Sequence, residues 1–476
     1  MQTRVYIRAD GSTNIGLGHL VRCIALAQML KNEFDIYFVS RQAPTNIIKE
    51  VEQSGFGFST IETEESFFGM LSGKEIVVID NYYFETDYQK KIKDLGCKLV
   101  CIDDLHDKEF YADLIINQVP GTKPADYKAQ FYTQFALGPD YALLRTSFLE
   151  QARKQKKIDK IESVFICFGG SDSKNLTTKT LELILDEKRF KKIIVITGVA
   201  FNYMDKLQPT IEKDSRVQHY HGVNEDEMVE LMEMSDLAIV PASGILLEAI
   251  AVGCIVISGM YVDNQKFVFE EYKKAGLFES AENFSKQHLI KAIDKVFSLP
   301  FANDKIIDGC SAQRISKCFR QLAMEDQIIM RSMAETDVQK TFEWASDPRI
   351  RTFSFSKEII RYKEHAAWFL NKIKNDSCYY FIGEINGHSI GSIRFDINGK
   401  EATISYLLDP NFHNMGLGIA LLKKGVAFFK ANEKKEIDRV IGFVMPENIA
   451  SVKAFERLGY SKQIENNNFK FTKSLK

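Results

Sequence analysis

Short runs of β-branched and aromatic residues alternate with helix-like stretches through roughly the first 300 residues. Small or acidic residues close each run, and the intervening stretches are long enough for crossover helices. Parallel strands need such crossovers, so this alternation predicts doubly wound parallel sheets. The predicted strands are Arg4–Arg8, Ile36–Val39, Ile76–Ile79, Leu99–Ile102, Leu114–Ile116, Ser163–Cys167, Ile193–Thr197, Leu237–Val240 and Ile255–Ser258.

A polar segment with several basic residues, Gln151–Lys160, interrupts this alternation. Its composition is typical of a solvated linker, with a binding patch as the alternative. The interruption divides this part of the chain into two predicted lobes, residues 1–155 and 156–322. Two doubly wound lobes that face each other form a cleft, and ligands lie there at the carboxyl ends of the strands.

The pattern changes after about residue 325, where alternating strands separated by Asn-Gly turns predict an antiparallel sheet. A turn with two glycines then leads into a helix and a later strand. We therefore predict an α+β domain over residues 325–476. Its predicted elements are strands at Ile328–Met330, Tyr379–Glu384, Ser389–Asp396, Ala402–Leu408 and Val440–Val444, and a helix at Ile419–Ala431.

Charge and cysteine usage narrow the class of protein. The 476 residues carry 62 Lys+Arg against 64 Asp+Glu, so nothing favours nucleic acid or a membrane surface as a partner. The eight cysteines are scattered without a Cys-x-x-Cys pair and suit a reducing compartment. The N-terminus lacks a signal-peptide pattern, and the most apolar stretch, 236–260, is too interrupted to span a bilayer. We expect a cytoplasmic protein.

A glycine-rich loop, Ala9-Asp10-Gly11-Ser12-Thr13-Asn14-Ile15-Gly16-Leu17-Gly18-His19, connects the first predicted strand to a helix. Glycines let the backbone approach a ligand, and the N–H groups at a helix start attract an anion. The spacing differs from the dinucleotide-binding fingerprint. A histidine at the helix start, His19, can accept a proton from water near neutral pH. The alternative is a helix-capping histidine without chemistry.

The second lobe opens in a similar way, with the loop Gly169-Gly170-Ser171-Asp172 after a strand. This loop offers N–H groups and a hydroxyl to a phosphate, although an ordinary strand-to-helix turn has the same pattern. No Asp-x-Asp motif indicates a metal on the diphosphate, so we expect no metal.

A later helix start in this lobe carries Ser243 and Gly244, with Glu248 about one turn further on among apolar residues. A carboxylate there needs a polar partner, which is either the two hydroxyls of a ribose or a buried salt bridge. The amides of Asn264 and Gln265 suit a uracil edge or an N-acetyl group. Together these features favour a nucleotide-sugar site.

These residues resemble the PseG-type UDP-sugar hydrolases of pseudaminic acid biosynthesis, over residues 1–320 and in the same order. The matching segments are 8–12, 15–19 with Arg22, Asp103-Asp104, 116–118, 141–148, 169–172, Ser243 with Glu248, and Asn264-Gln265. The resemblance implies the two-lobed GT-B architecture and hydrolysis of UDP-2,4-diacetamido-2,4,6-trideoxy-β-L-altropyranose to UDP and the free sugar.

The resemblance also implies roles for individual residues. His19 helps to activate the attacking water, and Gly170, Ser171, Ser243, Gly244 and Glu248 bind UDP. The sugar side and the first loop are matched by Arg8, Asp10, Gly16, Gly18, Arg22, Asn264 and Gln265. A water that attacks opposite the UDP inverts the anomeric centre.

The last 150 residues or so resemble GNAT acetyltransferases through three features in order. These are the opening segments 335–337 and 344–351, the glycine loop 413–420, and the stretch 448–460. The resemblance implies acetyl-CoA as co-substrate, with its diphosphate on the amides of Asn414, Gly416, Leu417, Gly418 and Ile419. It places the thioester between strands beyond Leu408, with Asn448 and Ser451 beside the pantetheine arm.

One departure concerns proton transfer. Many GNAT enzymes carry a tyrosine at the position of Phe455, and that tyrosine protonates the leaving thiolate. Phe455 has no proton to give, so the acid stays unassigned. Tyr406 and His413 are candidates, with a plain strand residue and a loop residue as the alternatives.

The fusion narrows the substrate. In pseudaminic acid synthesis a PseH-type enzyme acetylates the 4-amino group of UDP-4-amino-4,6-dideoxy-N-acetyl-β-L-altrosamine immediately before the hydrolase acts. The resemblance thus implies a bifunctional enzyme on a UDP-linked amino sugar. The alternatives are a GT-B glycosyltransferase, an acetyltransferase of the ribosomal-protein type and an inactive nucleotide-sugar binder. A bacillosamine- or legionaminic-type sugar also fits, because the sequence does not reveal sugar stereochemistry.

Overall fold

The computed structural model of the 476-residue chain describes residues 2–12, 17–130, 132–262, 265–298, 306–413, 415–433 and 436–475. The chain divides into two compact units, Met1–Ser316 and Lys317–Lys476. Two of the three large sheets belong to the first unit and one to the second. The lobe boundary predicted near residue 155 falls between the first two sheets and stays a prediction.

The first sheet has seven parallel strands in the order β3-β2-β1-β4-β5-β7-β9. Its central strands are buried along their whole length, as expected when helices cover both faces. The strands are β1 (Arg4–Ala9), β2 (Asp35–Ser40), β3 (Gly57–Thr60), β4 (Ile76–Asp80), β5 (Lys98–Ile102), β7 (Leu114–Asn117) and β9 (Gln134–Leu137), with β6 (Glu109–Phe110) and β8 (Lys128–Ala129) forming a separate pair. The helices are α1 (Gly18–Leu30), α2 (Thr45–Gln53), α3 (Glu64–Phe68), α4 (Thr86–Asp94) and α5 (Thr146–Ala152).

The second sheet has six parallel strands in the order β12-β11-β10-β13-β14-β15. Helix α5 packs on it, because Phe148, Leu149 and Ala152 are buried in the hydrophobic cluster of this sheet. The strands are β10 (Ser163–Cys167), β11 (Lys192–Thr197), β12 (Val217–His221), β13 (Leu237–Pro241), β14 (Ile255–Gly259) and β15 (Glu279–Ser280). The helices are α6 (Leu176–Asp186), α7 (Met204–Ile211), α8 (Glu225–Glu233), α9 (Gly244–Val252), α10 (Lys266–Lys274), α11 (Lys286–Ser298) and α12 (Ser311–Gln327).

The third sheet is antiparallel apart from the β19–β20 pair, with the order β16-β17-β18-β19-β20-β22-β21. Its core stacks the rings of Phe395 and Phe429 at 4.2 Å. The strands are β16 (Ile329–Ser332), β17 (Cys378–Ile385), β18 (His388–Asn398), β19 (Glu401–Leu408), β20 (Arg439–Val444), β21 (Ser461–Glu465) and β22 (Asn468–Ser474). The helices are α13 (Val338–Ser346), α14 (Pro348–Arg351), α15 (Tyr362–Lys374), α16 (Leu417–Asn432) and α17 (Ile449–Arg457).

The predicted fold class is confirmed: parallel α/β sheets precede an α+β unit. The strands that the sequence analysis missed are mainly short or lie at sheet edges. One of them, β12, reads Val-Gln-His-Tyr-His and leaves most of its side chains at least partly exposed, so it lacks an apolar run. The Asn386-Gly387 turn is present, and both residues have the positive φ, 51° and 77°, that a two-residue hairpin of this type requires.

Candidate active sites

His19 lies one residue inside the start of α1, in the first glycine loop, and its ring is buried. Its Nδ1 lies 2.7 Å from a carboxylate oxygen of Asp80. Asp80 ends β4, which pairs with β1 in the register Ala9–Asp80. The carboxyl ends of two neighbouring parallel strands therefore bring the loop histidine and the carboxylate together.

Arg22, one turn along α1 from His19, holds Asp80 in place. Its guanidinium donates to both Asp80 oxygens at 2.6 Å and to the Asp104 carboxylate at 2.7 and 2.9 Å. Burial alone would raise the pKa of Asp80, but the Arg22 charge and the hydrogen bonds from Arg22 and His19 lower this pKa far below its usual value. Asp80 is therefore a fixed anion at neutral pH.

An ionised carboxylate only accepts hydrogen bonds, so the N–H group at Nδ1 of His19 donates a hydrogen bond to Asp80. The other ring nitrogen, Nε2, then keeps its lone pair. The edge of the Tyr82 ring packs on the imidazole, with centroids 4.9 Å apart, and restricts its rotation. A helix-capping histidine would hydrogen-bond to the helix backbone, whereas the His19 ring hydrogen-bonds to the Asp80 side chain. The arrangement suits a base that accepts a proton at Nε2.

Arg8 and Asp10, predicted on the sugar side, are engaged with the chain itself. The fully buried Arg8 guanidinium lies 2.6 Å from Glu64 and 2.8 Å from Asp10. Asp10 also accepts from Ser40 Oγ at 2.9 Å and from the Arg41 N–H at 2.6 Å. These bonds shape the loop after β1, and direct contact of Arg8 and Asp10 with a sugar stays a prediction.

The second glycine loop follows β10. Asp172 is fully buried and accepts from the Leu176 and Thr177 N–H groups at 2.8 and 2.7 Å, which fixes the entry to α6. Gly170 is exposed and Ser171 is partly exposed, so both are accessible to a ligand. A Cβ at Gly170 would lie 3.9 Å from Leu17 Cδ1, so the two glycine loops meet within the first unit.

Gly198, which follows β11, supports the second loop by direct backbone contact. A Cβ at Gly198 would lie 2.5 Å from both Cα and O of Gly170, closer than any real contact. We expect Gly198→Ala to displace the loop, to weaken UDP binding about tenfold, and to lower the free energy of unfolding by about 1–3 kcal/mol. Calorimetric titration with UDP and thermal melting measure the two effects.

Gly69→Ala, at the end of α3, is the matched control, because there the nearest atom to a new Cβ is 3.4 Å away. It should leave both quantities unchanged. Unchanged UDP binding in Gly198→Ala would mean that the second loop does not hold the nucleotide.

The start of α9 is open to solvent, because Ser243 and Gly244 are exposed and no side chain among the described residues caps the helix. Glu248 is buried and accepts from Arg145 Nη2 at 2.8 Å. The salt-bridge alternative for this carboxylate is thus present in the structure. Contact between Glu248 and a ribose stays a prediction.

The remaining residues predicted for the nucleotide-sugar site differ in how exposed they are. Gln265 is buried, and its side-chain oxygen accepts from the Tyr261 N–H at 3.1 Å. Gly18 is exposed at the first position of α1, where a Cβ would have nothing within 4 Å. The predicted residues Gly16 and Asn264, like Asn414 in the second unit, lie outside the described residues.

In the second unit, the glycine loop leads directly into α16. Gly416 precedes the helix with a φ of 75°, which only glycine adopts easily, and it is exposed. Leu417 is buried and anchors the turn, while Gly418 and Ile419 are partly exposed. The first turn of a helix leaves N–H groups without intrahelical partners, and the cradle for a diphosphate at this turn stays a prediction.

A cavity of about 840 Å³ lies in the same unit and is lined by residues of β19, β20 and α17. Asn448 caps α17 by accepting from the Ser451 N–H at 3.1 Å, and both residues line the cavity. The described residues predicted to bind acetyl-CoA therefore lie at the start of α16 and in the cavity wall, all in the second unit. Their contact with the co-substrate stays a prediction.

Sequence analysis missed Asp80, Asp104 and Tyr82 as parts of the His19 site. The available signal was positional, because Asp80 directly follows the apolar run of β4 and Asp104 comes two residues after β5. In a parallel sheet, acidic residues at such positions share one edge with the first loop. All eight cysteines lie in the described residues, and each has a free thiol there.

The described residues offer neither a metal-binding cluster nor a membrane-spanning helix. They contain no group of three or more His, Cys, Asp or Glu side chains placed to hold a metal ion. Within the same ranges no helix combines the length and the apolar character that a membrane crossing requires.

In comparisons with known proteins, the first part of the chain is similar to PseG- and SpsG-type proteins, and the last part is similar to GNAT acetyltransferases. Residues 327–461 match the family model of the acetyltransferase (GNAT) domain. Over 96% of its length, the chain is 26% identical to an uncharacterized protein of Methanocaldococcus jannaschii, of which the match covers 97%. Counterparts of both parts therefore occur together in one relative.

Two further relatives match the first part alone. The UDP-2,4-diacetamido-2,4,6-trideoxy-β-L-altropyranose hydrolase of Campylobacter jejuni is 28% identical over 55% of this chain and 93% of that protein. The spore coat polysaccharide biosynthesis protein SpsG of Bacillus subtilis is 28% identical over 53% of this chain and 77% of that protein. The predicted resemblances, to PseG-type hydrolases in the first part and to GNAT acetyltransferases in the last part, are confirmed.

Proposed function

We propose that the chain is a bifunctional enzyme of pseudaminic acid biosynthesis. Its second unit transfers an acetyl group from acetyl-CoA to the 4-amino group of UDP-4-amino-4,6-dideoxy-N-acetyl-β-L-altrosamine. Its first unit then hydrolyses the product, UDP-2,4-diacetamido-2,4,6-trideoxy-β-L-altropyranose, to UDP and the free sugar. The similarity to the Campylobacter jejuni hydrolase supports the second of these reactions.

The observation that carries the hydrolase proposal is the contact between His19 and Asp80. With Nδ1 bonded to an anion at 2.7 Å, the Nε2 atom of His19 is free to take a proton. Arg22 keeps that anion ionised and in place.

Hydrolysis then proceeds by one displacement. The oxygen of a water bonds to the anomeric carbon, the bond from that carbon to the diphosphate oxygen breaks, and His19 Nε2 takes the proton of the water. The departing UDP carries the electron pair, and the N–H groups of the second glycine loop and of the α9 start stabilise its charge. Attack on the face opposite UDP inverts the anomeric centre.

In the acetyltransferase unit, the start of α16 would hold the diphosphate of acetyl-CoA and the pantetheine arm would enter the cavity beside Asn448. The acceptor amine would approach through the same cavity. The full-length relative from Methanocaldococcus jannaschii supports a shared pathway for the two units, because it spans both.

Mass spectrometry of UDP-4-amino-4,6-dideoxy-N-acetyl-β-L-altrosamine, incubated with the full chain with and without acetyl-CoA, tests the proposal. We expect UDP and the free diacetamido sugar only when acetyl-CoA is present. In ¹⁸O-water the label should enter the sugar and not UDP, because water attacks the carbon. An unchanged substrate under both conditions would refute the pathway assignment.

A glycosyltransferase is the second candidate for the first unit. The chain is as similar to SpsG as to the hydrolase, at 28% identity, and SpsG is named for polysaccharide biosynthesis, which requires sugar transfer. The same experiment separates the two. A transferase would leave the acetylated UDP-sugar intact until an acceptor is added, whereas a hydrolase releases the free sugar in buffer alone. Acetylation of a ribosomal-protein peptide instead of the nucleotide sugar would reassign the second unit.

A further inference from the structure

An opening lies between two neighbouring strands of the third sheet. Strands β19 and β20 pair in parallel from Glu401–Arg439 to Ile404–Gly442. Among the described residues the ladder ends there, although β19 continues to Leu408 and β20 to Val444. The two strand ends line the 840 Å³ cavity, so an extended ligand can enter between them.

Tyr406 stands in this opening, on β19, and bridges the two helix starts that are predicted to hold acetyl-CoA. Its ring carbon Cε2 lies 3.9 Å from where a Cβ of Gly418 would be, at the first turn of α16. Its hydroxyl donates to Ser451 Oγ at 3.1 Å, in the first turn of α17. The hydroxyl is thus fixed where a thioester would enter the cavity.

The other groups that carry protons are less well placed. Phe455 lines the cavity beside Tyr406, with ring centroids 5.9 Å apart, but has no hydroxyl. His413 is not among the residues that line the cavity, and its Nε2 donates to the Leu408 carbonyl oxygen at 3.1 Å. Tyr380 lies on β17, two strands away from β19 in the sheet order. Of the two described tyrosines that line the cavity, Tyr380 and Tyr406, Tyr406 is the one on a strand of the opening.

The environment of Tyr406 keeps its proton on the oxygen. Burial raises the pKa of this tyrosine, and the hydrogen bond to Ser451 offsets only part of the increase. A phenol that stays protonated at neutral pH can donate to an anion that forms beside it.

We propose that Tyr406 is the catalytic acid of the acetyltransferase. It would replace the tyrosine that many GNAT enzymes carry at the position of Phe455. This inference rests on the proposed acetyl transfer. The acceptor nitrogen bonds to the acetyl carbon and loses a proton to water, and the bond from that carbon to sulfur breaks. The leaving thiolate takes the proton of the Tyr406 hydroxyl, and water returns a proton to the phenolate through the open cavity.

The first test is Tyr406→Phe in the full chain, assayed for acetyl transfer with steady-state kinetics. We expect kcat to fall by about 10²-fold or more, with the KM for acetyl-CoA changed by less than about threefold. Tyr379→Phe is the matched control, because it removes a hydroxyl from the same domain outside the cavity lining. Hydrolysis of the diacetamido UDP-sugar by each variant reports that the chain is folded.

The second test needs no acceptor. Calorimetric titration compares CoA with desulfo-CoA, which lacks the sulfur atom. The measured quantity is the Kd for desulfo-CoA divided by the Kd for CoA. If Tyr406 donates a hydrogen bond to the sulfur, this ratio should be about threefold or more larger in the wild type than in Tyr406→Phe.

Equal preference in the two proteins, or full kcat in Tyr406→Phe, would overturn the inference. A third outcome is that the wild type acetylates no amino sugar, yet prefers CoA to desulfo-CoA more strongly than Tyr406→Phe does. In that case the proposed function fails, while the position of Tyr406 beside the sulfur is supported.

Discussion

His19→Ala will slow hydrolysis of UDP-2,4-diacetamido-2,4,6-trideoxy-β-L-altropyranose by about 10²–10⁴-fold, the usual contribution of a general base. UDP binding and acetyl transfer should stay at wild-type levels. The reason is local, because the imidazole bonds Asp80 at 2.7 Å and contributes no predicted contact to the nucleotide. Release of UDP, followed by chromatography, measures the first effect, and calorimetry with UDP measures the second.

Asp80→Asn tests the positioning role separately. An amide in place of the anion no longer enforces a proton on Nδ1, so hydrolysis should fall by about 10-fold or more while UDP still binds. His288→Ala is the matched control, because His288 lies in the same unit, is partly exposed, and hydrogen-bonds to the exposed Ser285. Hydrolysis that persists in His19→Ala near the wild-type rate would remove this histidine from the mechanism.

Gly416→Glu will abolish acetyl transfer by weakening acetyl-CoA binding about 100-fold or more, and hydrolysis will be unaffected. The new carboxylate places a negative charge at the α16 start, where the diphosphate is predicted to bind. A Cβ at Gly416 also lies 2.8 Å from the Gln321 side chain and requires a positive φ. Titration with CoA and the two activity assays measure the outcome.

Gly387→Glu is the matched control for backbone strain. Gly387 has a φ of 77° in the β17–β18 turn, and a Cβ there has nothing within 4 Å. It therefore carries the same charge change and a similar backbone cost away from the predicted cradle. If both variants lost CoA binding equally, the effect would be general destabilisation and the cradle at Gly416 would be refuted.

Much of the fold follows from local patterns. All nine strands predicted in the first two sheets are present, because central parallel strands are continuous apolar runs. The missed strand β12 is an edge strand whose polar residues carry no such signal. The predicted lobe boundary at residue 155 put residues 146–152 in the first lobe, but the buried residues of α5, which these residues form, pack with the second sheet. Chain order alone does not reveal which sheet covers a helix.

The candidate sites were predictable to a smaller extent. Glycine loops and helix starts are local, so Gly170, Ser243 and Gly416 were found where the structure has loops or helix starts. The partners of the predicted side chains were not. Glu248 bonds Arg145, which is 103 residues away, and the sequence left a ribose and a salt bridge as equal alternatives.

The sequence by itself determined the parallel sheets, the glycine-bearing turns and the α+β unit, because hydrophobic periodicity and turn chemistry act over a few residues. Only the tertiary structure decided which groups meet. His19 and Asp80 are 61 residues apart, and Tyr406 and Ser451 are 45 apart. These pairs form because particular strands lie next to each other and end at the same edge, and that adjacency results from how the whole chain packs.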